Sequence, residues 1–322
     1  MGEEIEMRIV SSIYPNQELQ KELQIEFPTA KFEFYHGMKE AEKSFYESEI
    51  FITYGEDLTE KHIQQNNRLK WIVLMTAGFD KLPLKAVEEK GIMVTTARGI
   101  HSIPMAEYTI GIMLQYVKQT RIIMENENKQ IWDRSLQLDE LSDKTVLILG
   151  VGTIGGEIAR LAKAFRMNTI GINRSGRAVG NIDKLYQIDQ FSHALPQADF
   201  IVSVLPSTPE TRHFIKREHF ISMKKSAVFI NIGRGDIVDE RILIDALNQQ
   251  LIDHAYLDVF EQEPLEVNHP LWSMKNVTIS PHLSSLTRRY LPRAFEIFKL
   301  NLYTYLTKKG EFINFIDLQK GY

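Results

Sequence analysis

Short apolar runs alternate with longer amphipathic stretches along the chain. Arg8-Ile-Val-Ser-Ser12, Ile50-Phe-Ile-Thr53 and Trp71-Ile-Val-Leu74 come first. Thr145-Val-Leu-Ile-Leu149, Thr169-Ile-Gly-Ile172, Phe200-Ile-Val-Ser-Val204 and Ala227-Val-Phe-Ile-Asn231 follow. Runs of about 4–6 β-branched and apolar residues with little alternation suit strands buried on both faces. The stretches between them are long enough for crossover helices, so the rhythm predicts an α/β fold with parallel sheets. It occurs in two blocks, about 8–98 and about 145–281. Between them, Ile103 to about Asn128 reads as one long helix, with Pro104 in its first turn and Ser102 as N-cap. Thr287 to Lys308 reads as another, stopping at Lys308-Lys-Gly310. Two long helices flanking one block are what two chain crossings between domains produce.

The sharpest local signal is Gly150-Val-Gly152-Thr-Ile-Gly155, between the apolar strand Val146–Leu149 and the helical stretch Glu157–Ala164. With 18 glycines in 322 residues, chance alone yields about 0.06 such patterns. In a dinucleotide-binding turn the first glycine makes the bend and the second lets the backbone approach a pyrophosphate. The third lets helix and strand pack closely. The helix N-terminus then offers unpaired N–H groups to the phosphates. No Lys-Ser/Thr follows the third glycine, so a P-loop is excluded.

About 20 residues on, such folds place an acid on the ribose hydroxyls. Here that strand ends Gly171-Ile-Asn173-Arg174-Ser175-Gly-Arg177, with no carboxylate from Ile158 to Ile182. A 2′-phosphate is repelled by a carboxylate and bound by an arginine fork. Asn173, Arg174 and Ser175 therefore predict NADP as the preferred cofactor, with NAD possible.

Three further runs end in polar residues that propensity does not explain. Ala227–Asn231 leads to Gly233-Arg234-Gly235, Leu257-Asp258 leads to Glu263-Pro264, and Val277-Thr-Ile-Ser-Pro281 leads to His282. In open parallel sheets, ligands gather outside the carboxyl ends of strands. Together these residues suit hydride transfer between a 2-oxo and a 2-hydroxy acid. Arg234 offers a planar fork to the substrate carboxylate and carbonyl. His282 is the proton donor to the carbonyl oxygen. Glu263 favours its imidazolium and fixes its orientation. The other histidines read as surface or core residues, except His101, which falls at a predicted domain crossing.

Composition narrows the class. At ~150 residues per domain, 322 residues predict two domains. The net charge is −4, which argues against a nucleic-acid partner. There are no cysteines, so disulfides, thiolate catalysis and cysteine-ligated metals are excluded. No uncharged apolar run reaches the ~18 residues that span a bilayer. The N-terminus, Met1 to Glu6, is acidic and unlike a signal peptide, and Glu6 spoils a myristoylation motif. The expectation is a cytoplasmic protein with no membrane partner and no metal.

With these residues in place, the chain resembles the D-isomer-specific 2-hydroxyacid dehydrogenases, on the glyoxylate/hydroxypyruvate reductase side. The likeness runs through Glu140–Gly155, Leu205-Pro-Ser-Thr-Pro-Glu-Thr211-Arg-His213 and Phe229–Asp236. It continues with Leu257-Asp-Val-Phe-Glu-Gln-Glu-Pro-Leu265, His269-Pro-Leu-Trp272 and Ser280-Pro-His282. The resemblance implies two Rossmann-like domains, the nucleotide-binding one (101–284) inserted into a discontinuous, flavodoxin-like substrate domain (1–100 plus 285–322). It implies that the loop Thr76-Ala77-Gly78-Phe-Asp80 holds the substrate carboxylate through backbone amides. Thr153, Ile154, Leu205, Pro206, Thr211, Ile232 and Ser285 become cofactor contacts, and Asp258 the holder of the nicotinamide carboxamide. The segment around Trp132 resembles the family's dimer region, which implies a homodimer through the nucleotide-binding domain.

Departures are local. Asn173-Arg174-Ser175 replaces the usual acid, Thr96 stands where an Asn is common, and Ser284 replaces a usual glycine. The chain ends at Tyr322, without room for the regulatory domain of longer phosphoglycerate dehydrogenases. Glu263-Pro264 argues against formate dehydrogenase. The favoured reading is an NADPH-preferring reductase of small 2-oxo acids. The rivals are a D-lactate-type or phosphoglycerate-type dehydrogenase, and a non-catalytic, cofactor-sensing corepressor. The two crossings predict hinge closure near residues 98–103 and 284–287.

Overall fold

The computed structural model describes residues 7–79 and 81–317. Met1–Glu6, Asp80 and the end of the chain at Tyr322, which entered the sequence reading, lie outside the described residues. The chain divides into two compact units, Met1–Ile100 with Thr287–Tyr322, and His101–Leu286.

The first unit is built on β1 (Met7–Ser11), β2 (Ala30–Phe34), β3 (Ile50–Thr53), β4 (Trp71–Leu74) and β5 (Met93–Thr96). All pair in parallel, in the order β2-β1-β3-β4-β5. This is the flavodoxin-like order of a doubly wound sheet. The helix Tyr290–Thr307 closes one face, where Phe295, Phe298 and Leu302 pack with Ile9, Ile50 and Trp71. Side chains bind this late helix to the early block. The Tyr290 hydroxyl donates to Met75 O at 2.7 Å and the Tyr305 hydroxyl to Glu49 at 2.7 Å. Lys299, itself nearly buried, pairs with Glu22, Glu26 and Glu296. Further on, Asn314 and Ile316 hydrogen-bond to the backbone of Thr96 and Val94, so the chain returns against β5.

The second unit holds β6 (Thr145–Leu149), β7 (Asn168–Asn173), β8 (Lys184–Gln187), β9 (Phe200–Ser203), β10 (Val228–Asn231), β11 (His254–Leu257) and β12 (Val277–Ile279). The order is β12-β11-β10-β9-β6-β7-β8, again all parallel. Both faces are buried, as the unalternating runs require. Val146 and Ile148 face one cluster, with Ile158 and Met113. Leu147 and Leu149 face the other, with Phe220 and Leu247.

The single long helix expected between the blocks is two. Ser102–Val117 ends at Lys118, and Thr120–Asn128 starts after Gln119, which adopts a left-handed conformation at φ 49°. Thr120–Asn128 buries no side chain, so packing does not hold it in line with its neighbour. Ser102 is the first helical residue rather than the N-cap. His101 stands at the cap and makes no side-chain capping bond to the helix. The late helix starts at Tyr290, three residues after Thr287, and stops as expected at Lys308, which is left-handed (φ 58°).

His254, at the start of β11, donates to or accepts from Thr278 Oγ1 at 2.9 Å. Burial pushes its imidazole down to about 4, against opposition from Asp253. The unfolded chain takes up this proton near pH 6.5, whereas the folded chain resists it until about 4. This stabilisation is complete above 6.5 and is lost as pH falls through that window. His254→Gln should flatten the corresponding part of the pH–stability curve, read by chemical denaturation between pH 7 and 4.

Candidate active site

The second sheet carries one row of paired residues across six strands. Ile172 of β7 pairs with Leu149 of β6, Leu149 with Ser203 of β9, and Ser203 with Asn231 of β10. Asn231 then pairs with Leu257 of β11, and Leu257 with Ile279 of β12. One residue further on, the chain reads Asn173, Gly150, Val204, Ile232, Asp258 and Ser280. The register therefore brings the glycine turn and the three polar strand ends to one edge.

At β6, Gly150 turns the chain at φ +104°. A Cβ on Gly155 would lie 2.2 Å from the Gly150 carbonyl oxygen, so helix and turn approach as no other residue allows. A Cβ on Gly152 would meet nothing within 4 Å, leaving its outer side open. The first helical hydrogen bond runs from Gly156 N to Gly152 O. The N–H groups of Thr153, Ile154 and Gly155 thus lack acceptors within the helix Thr153–Ala164. Open space above Gly152 and first-turn donors without helical partners fit a dinucleotide pyrophosphate. Leu205 packs against Gly150, and Ile232 is buried at the end of β10. Pro206 and Thr211 share a loop, in which the Thr211 hydroxyl donates to Pro206 O at 2.6 Å.

After β7, Asn173 shapes the turn. Its Oδ1 accepts from Gly176 N at 2.7 Å and its Nδ2 donates to Arg177 O at 3.0 Å. Ser175 Oγ accepts from Arg177 N at 3.2 Å. Arg174 and Arg177 are exposed on this closed turn. The Glu210 carboxyl is held below its ordinary range by the Thr208 hydroxyl first, with the Arg174 charge adding to it.

After β12, His282 Nδ1 lies 2.7 Å from Glu263 Oε2. Their side chains are 46% and 36% exposed, open enough to meet a ligand. Glu263 Oε1 accepts from Phe260 N at 3.0 Å, which fixes the carboxylate. His282 meets Glu263 through Nδ1 and not through the ring's other nitrogen, Nε2. Arg234 is exposed, with Nη1 donating to Gly233 O at 2.8 Å. Its neighbour Gly235 is buried, and a Cβ there would lie 1.9 Å from Phe260 C. The Arg234 loop and the Glu263 loop therefore touch backbone to backbone. Burial holds the His101 imidazole below its ordinary range, and Arg234 nearby adds to this.

Asp258 follows β11 directly. It is 1% exposed, and both carboxylate oxygens are engaged by the chain itself. Oδ1 accepts from Leu283 N at 2.8 Å and Ser280 Oγ at 2.5 Å, and Oδ2 from Ser284 N at 2.9 Å. Asp258 thus anchors the loop that carries His282 and Ser285, a role its place at a strand end did not disclose. Ser284, the departure from glycine, donates to Asp258 through its backbone. In His269-Pro-Leu-Trp272, Trp272 Nε1 donates to Glu266 O at 2.9 Å.

In the first unit, Thr76, Ala77 and Gly78 follow β4. Thr76 Oγ1 donates to Gly78 O at 2.8 Å, and Thr76 O accepts from Ala97 N at 2.9 Å. Thr96 is buried at the end of β5, and its hydroxyl has no hydrogen-bond partner among the described residues. Among the described residues, no three His, Asp or Glu could hold a metal. No described helix is long and apolar enough to cross a membrane.

A doubly wound sheet with a glycine turn at its phosphate-binding end belongs to a dinucleotide-dependent enzyme class. The sequence model described as "D-isomer specific 2-hydroxyacid dehydrogenase, NAD binding domain" matches residues 110–284. The glyoxylate reductase of Aeropyrum pernix is 36% identical over 234 residues, 70% of this chain and 70% of that one. The glyoxylate/hydroxypyruvate reductase B of Yersinia pestis is 32% identical over 246 residues, 75% of this chain and 76% of that one. A crystal structure of a D-isomer specific 2-hydroxyacid dehydrogenase family protein from Aeromonas salmonicida superposes with a TM-score of 0.85. It is 32% identical and the match covers 97% of this chain and 99% of that one. The chain belongs to the D-isomer specific 2-hydroxyacid dehydrogenase family, whose members are NAD(P)-dependent oxidoreductases.

Proposed function

We propose that this protein is an NADPH-preferring reductase of small 2-oxo acids of the glyoxylate and hydroxypyruvate class. The observation that carries the reading is the 2.7 Å bond between His282 and Glu263, set beside the loop of Arg234. Arg234 holds the substrate carboxylate and polarises the carbonyl. His282 gives its Nε2 proton to the carbonyl oxygen and regains one from water. Glu263 keeps the ring turned and balances the imidazolium. When bound, the nicotinamide supplies the hydride. The glycine turn with Thr153 and Ile154 holds its pyrophosphate, and Leu205, Pro206, Thr211, Ile232 and Ser285 line its path. Thr76, Ala77 and Gly78 keep the assignment to the substrate carboxylate that the family resemblance implies. The substrate class is supported by the two reductases similar to this chain.

The cofactor preference rests on the turn after β7. It carries two exposed arginines and Ser175, and no carboxylate, while Asn173 is occupied in closing it. The absence of cysteine supports a reducing, cytoplasmic setting.

A second copy of the chain is the partner assigned to the second unit. Ile122, Ile123 and Met124 are exposed on the helix Thr120–Asn128. Ile131, Leu138 and Trp132, itself 92% exposed, continue this apolar face along the segment that resembles the family's dimer region. Light scattering should return twice 37.3 kDa, and Trp132→Arg should shift the distribution towards 37.3 kDa. A monomer at all concentrations would remove the dimer.

A panel of 2-oxo acids assayed with NADPH and NADH tests the whole reading. A preference for NADH of about tenfold or more would sink the NADP assignment. Arg174→Ala should raise the Michaelis constant for NADPH by about tenfold or more, the scale of one lost bond to a charged group, and leave that for NADH nearly unchanged. His282→Ala should lower kcat by about 10²–10⁴ with cofactor affinity near normal, as expected for a lost acid–base group. Unchanged turnover would discard His282, and cofactor binding without turnover by the unmodified protein on any acid would favour the sensing protein.

A further inference from the structure

His282 has a φ of 54°, a left-handed conformation that side chains rarely adopt. Something must hold it there, and the bonds around Asp258 show what does. The Asp258 carbonyl accepts from His282 N at 2.8 Å, while its carboxylate takes the N–H groups of Leu283 and Ser284. The fourth donor to this residue is the Ser280 hydroxyl, at 2.5 Å from Oδ1.

The direction of the next bond follows from proton counting. Both Asp258 carboxylate oxygens accept from backbone amides, so the one hydroxyl proton of Ser280 points to Oδ1. The Ser280 oxygen is then free to accept. The hydroxyl of Tyr108 is hydrogen-bonded to it, so Tyr108 must be the donor. Burial raises the Tyr108 phenol above its ordinary range, which keeps that proton in place. Tyr108 lies on the helix Ser102–Val117, 172 residues before Ser280. Other residues of that helix, Met105, Ala106, Ile110 and Met113, pack in one cluster with Ile158 and Ala159 of the helix that follows the glycine turn.

We propose that Tyr108 is a positioning residue for His282. It is the outer donor of a Tyr108–Ser280–Asp258 chain that holds the His282 loop in its left-handed form and presents the ring to Glu263. It thereby ties the proton donor to the helix that supports the cofactor turn. This inference rests on the assignment of His282 as proton donor.

The test compares Tyr108→Phe, Ser280→Ala and the double variant with His282→Ala. Tyr108→Phe removes one oxygen and keeps the ring. Its kcat should fall by about tenfold, the size of one lost hydrogen bond that supports the reacting group. The Michaelis constant for NADPH and the thermal midpoint should stay within error of the unmodified protein. Ser280→Ala should give a similar loss, and the double variant should lose little more than either single one, because the two act through one chain. Full kcat in Tyr108→Phe, or multiplied losses in the double variant, would overturn the proposal. A raised Michaelis constant with unchanged kcat would do so too, since it would mark a packing role. If Tyr108→Phe fails to fold, Ser280→Ala decides alone: full kcat in it overturns the chain. Should His282→Ala keep full turnover, the assignment of the proton donor fails instead, whatever Tyr108→Phe shows.

Discussion

The register of the second sheet is the constraint on which the site depends. Six parallel strands place Ile172, Leu149, Ser203, Asn231, Leu257 and Ile279 in one hydrogen-bonded row. Each candidate group of this unit stands within a short reach beyond that row, on a turn set by its strand's end. A slip of one residue in any strand would exchange its two buried faces. It would also withdraw that strand's turn from the edge. Because both faces are filled, by Leu147 and Leu149 on one side and Val146 and Ile148 on the other, such a slip is strongly opposed. Packing deep in the sheet thus enforces the alignment of polar groups at its rim.

The placing of these groups then comes from backbone as much as from side chains. The Phe260 N–H aims the Glu263 carboxylate, and Asp258 gathers the amides of Leu283 and Ser284. Gly235 allows the loops of Arg234 and Glu263 to meet without a side chain between them. An exposed ion pair between two flexible side chains would contribute little by itself. Here the carboxylate is fixed by a backbone amide, and the histidine stands on a loop anchored by a buried acid.

Much of this was legible in the sequence, for identifiable reasons. Strands buried on both faces read as apolar runs, so β3, β4, β6, β9 and β10 stood out. β2, Ala-Lys-Phe-Glu-Phe, alternates with charges, and β8, Lys-Leu-Tyr-Gln, is an edge strand with polar ends; neither has that signature. The glycine turn and the residues Arg234, Glu263 and His282 were visible as polar or glycine endings to apolar runs. The break at Gln119 was not, because a left-handed glutamine carries no glycine mark. Asp258 was noticed, but its bonds to Leu283 and Ser284, 25 and 26 residues on, were not. The link from Tyr108 to Ser280 spans 172 residues and has no local trace at all.

The first unit has a property of another kind. Its core joins Ile9, Ile50 and Trp71 to Phe295, Phe298 and Leu302, from the two segments that flank His101–Leu286. During synthesis the early strands emerge first but cannot bury that face until Phe295, Phe298 and Leu302 have left the ribosome. The unit spanning His101–Leu286 is complete before then. The strands that emerge first therefore belong to the unit that finishes folding last, because its apolar face stays open until the helix Tyr290–Thr307 has been made.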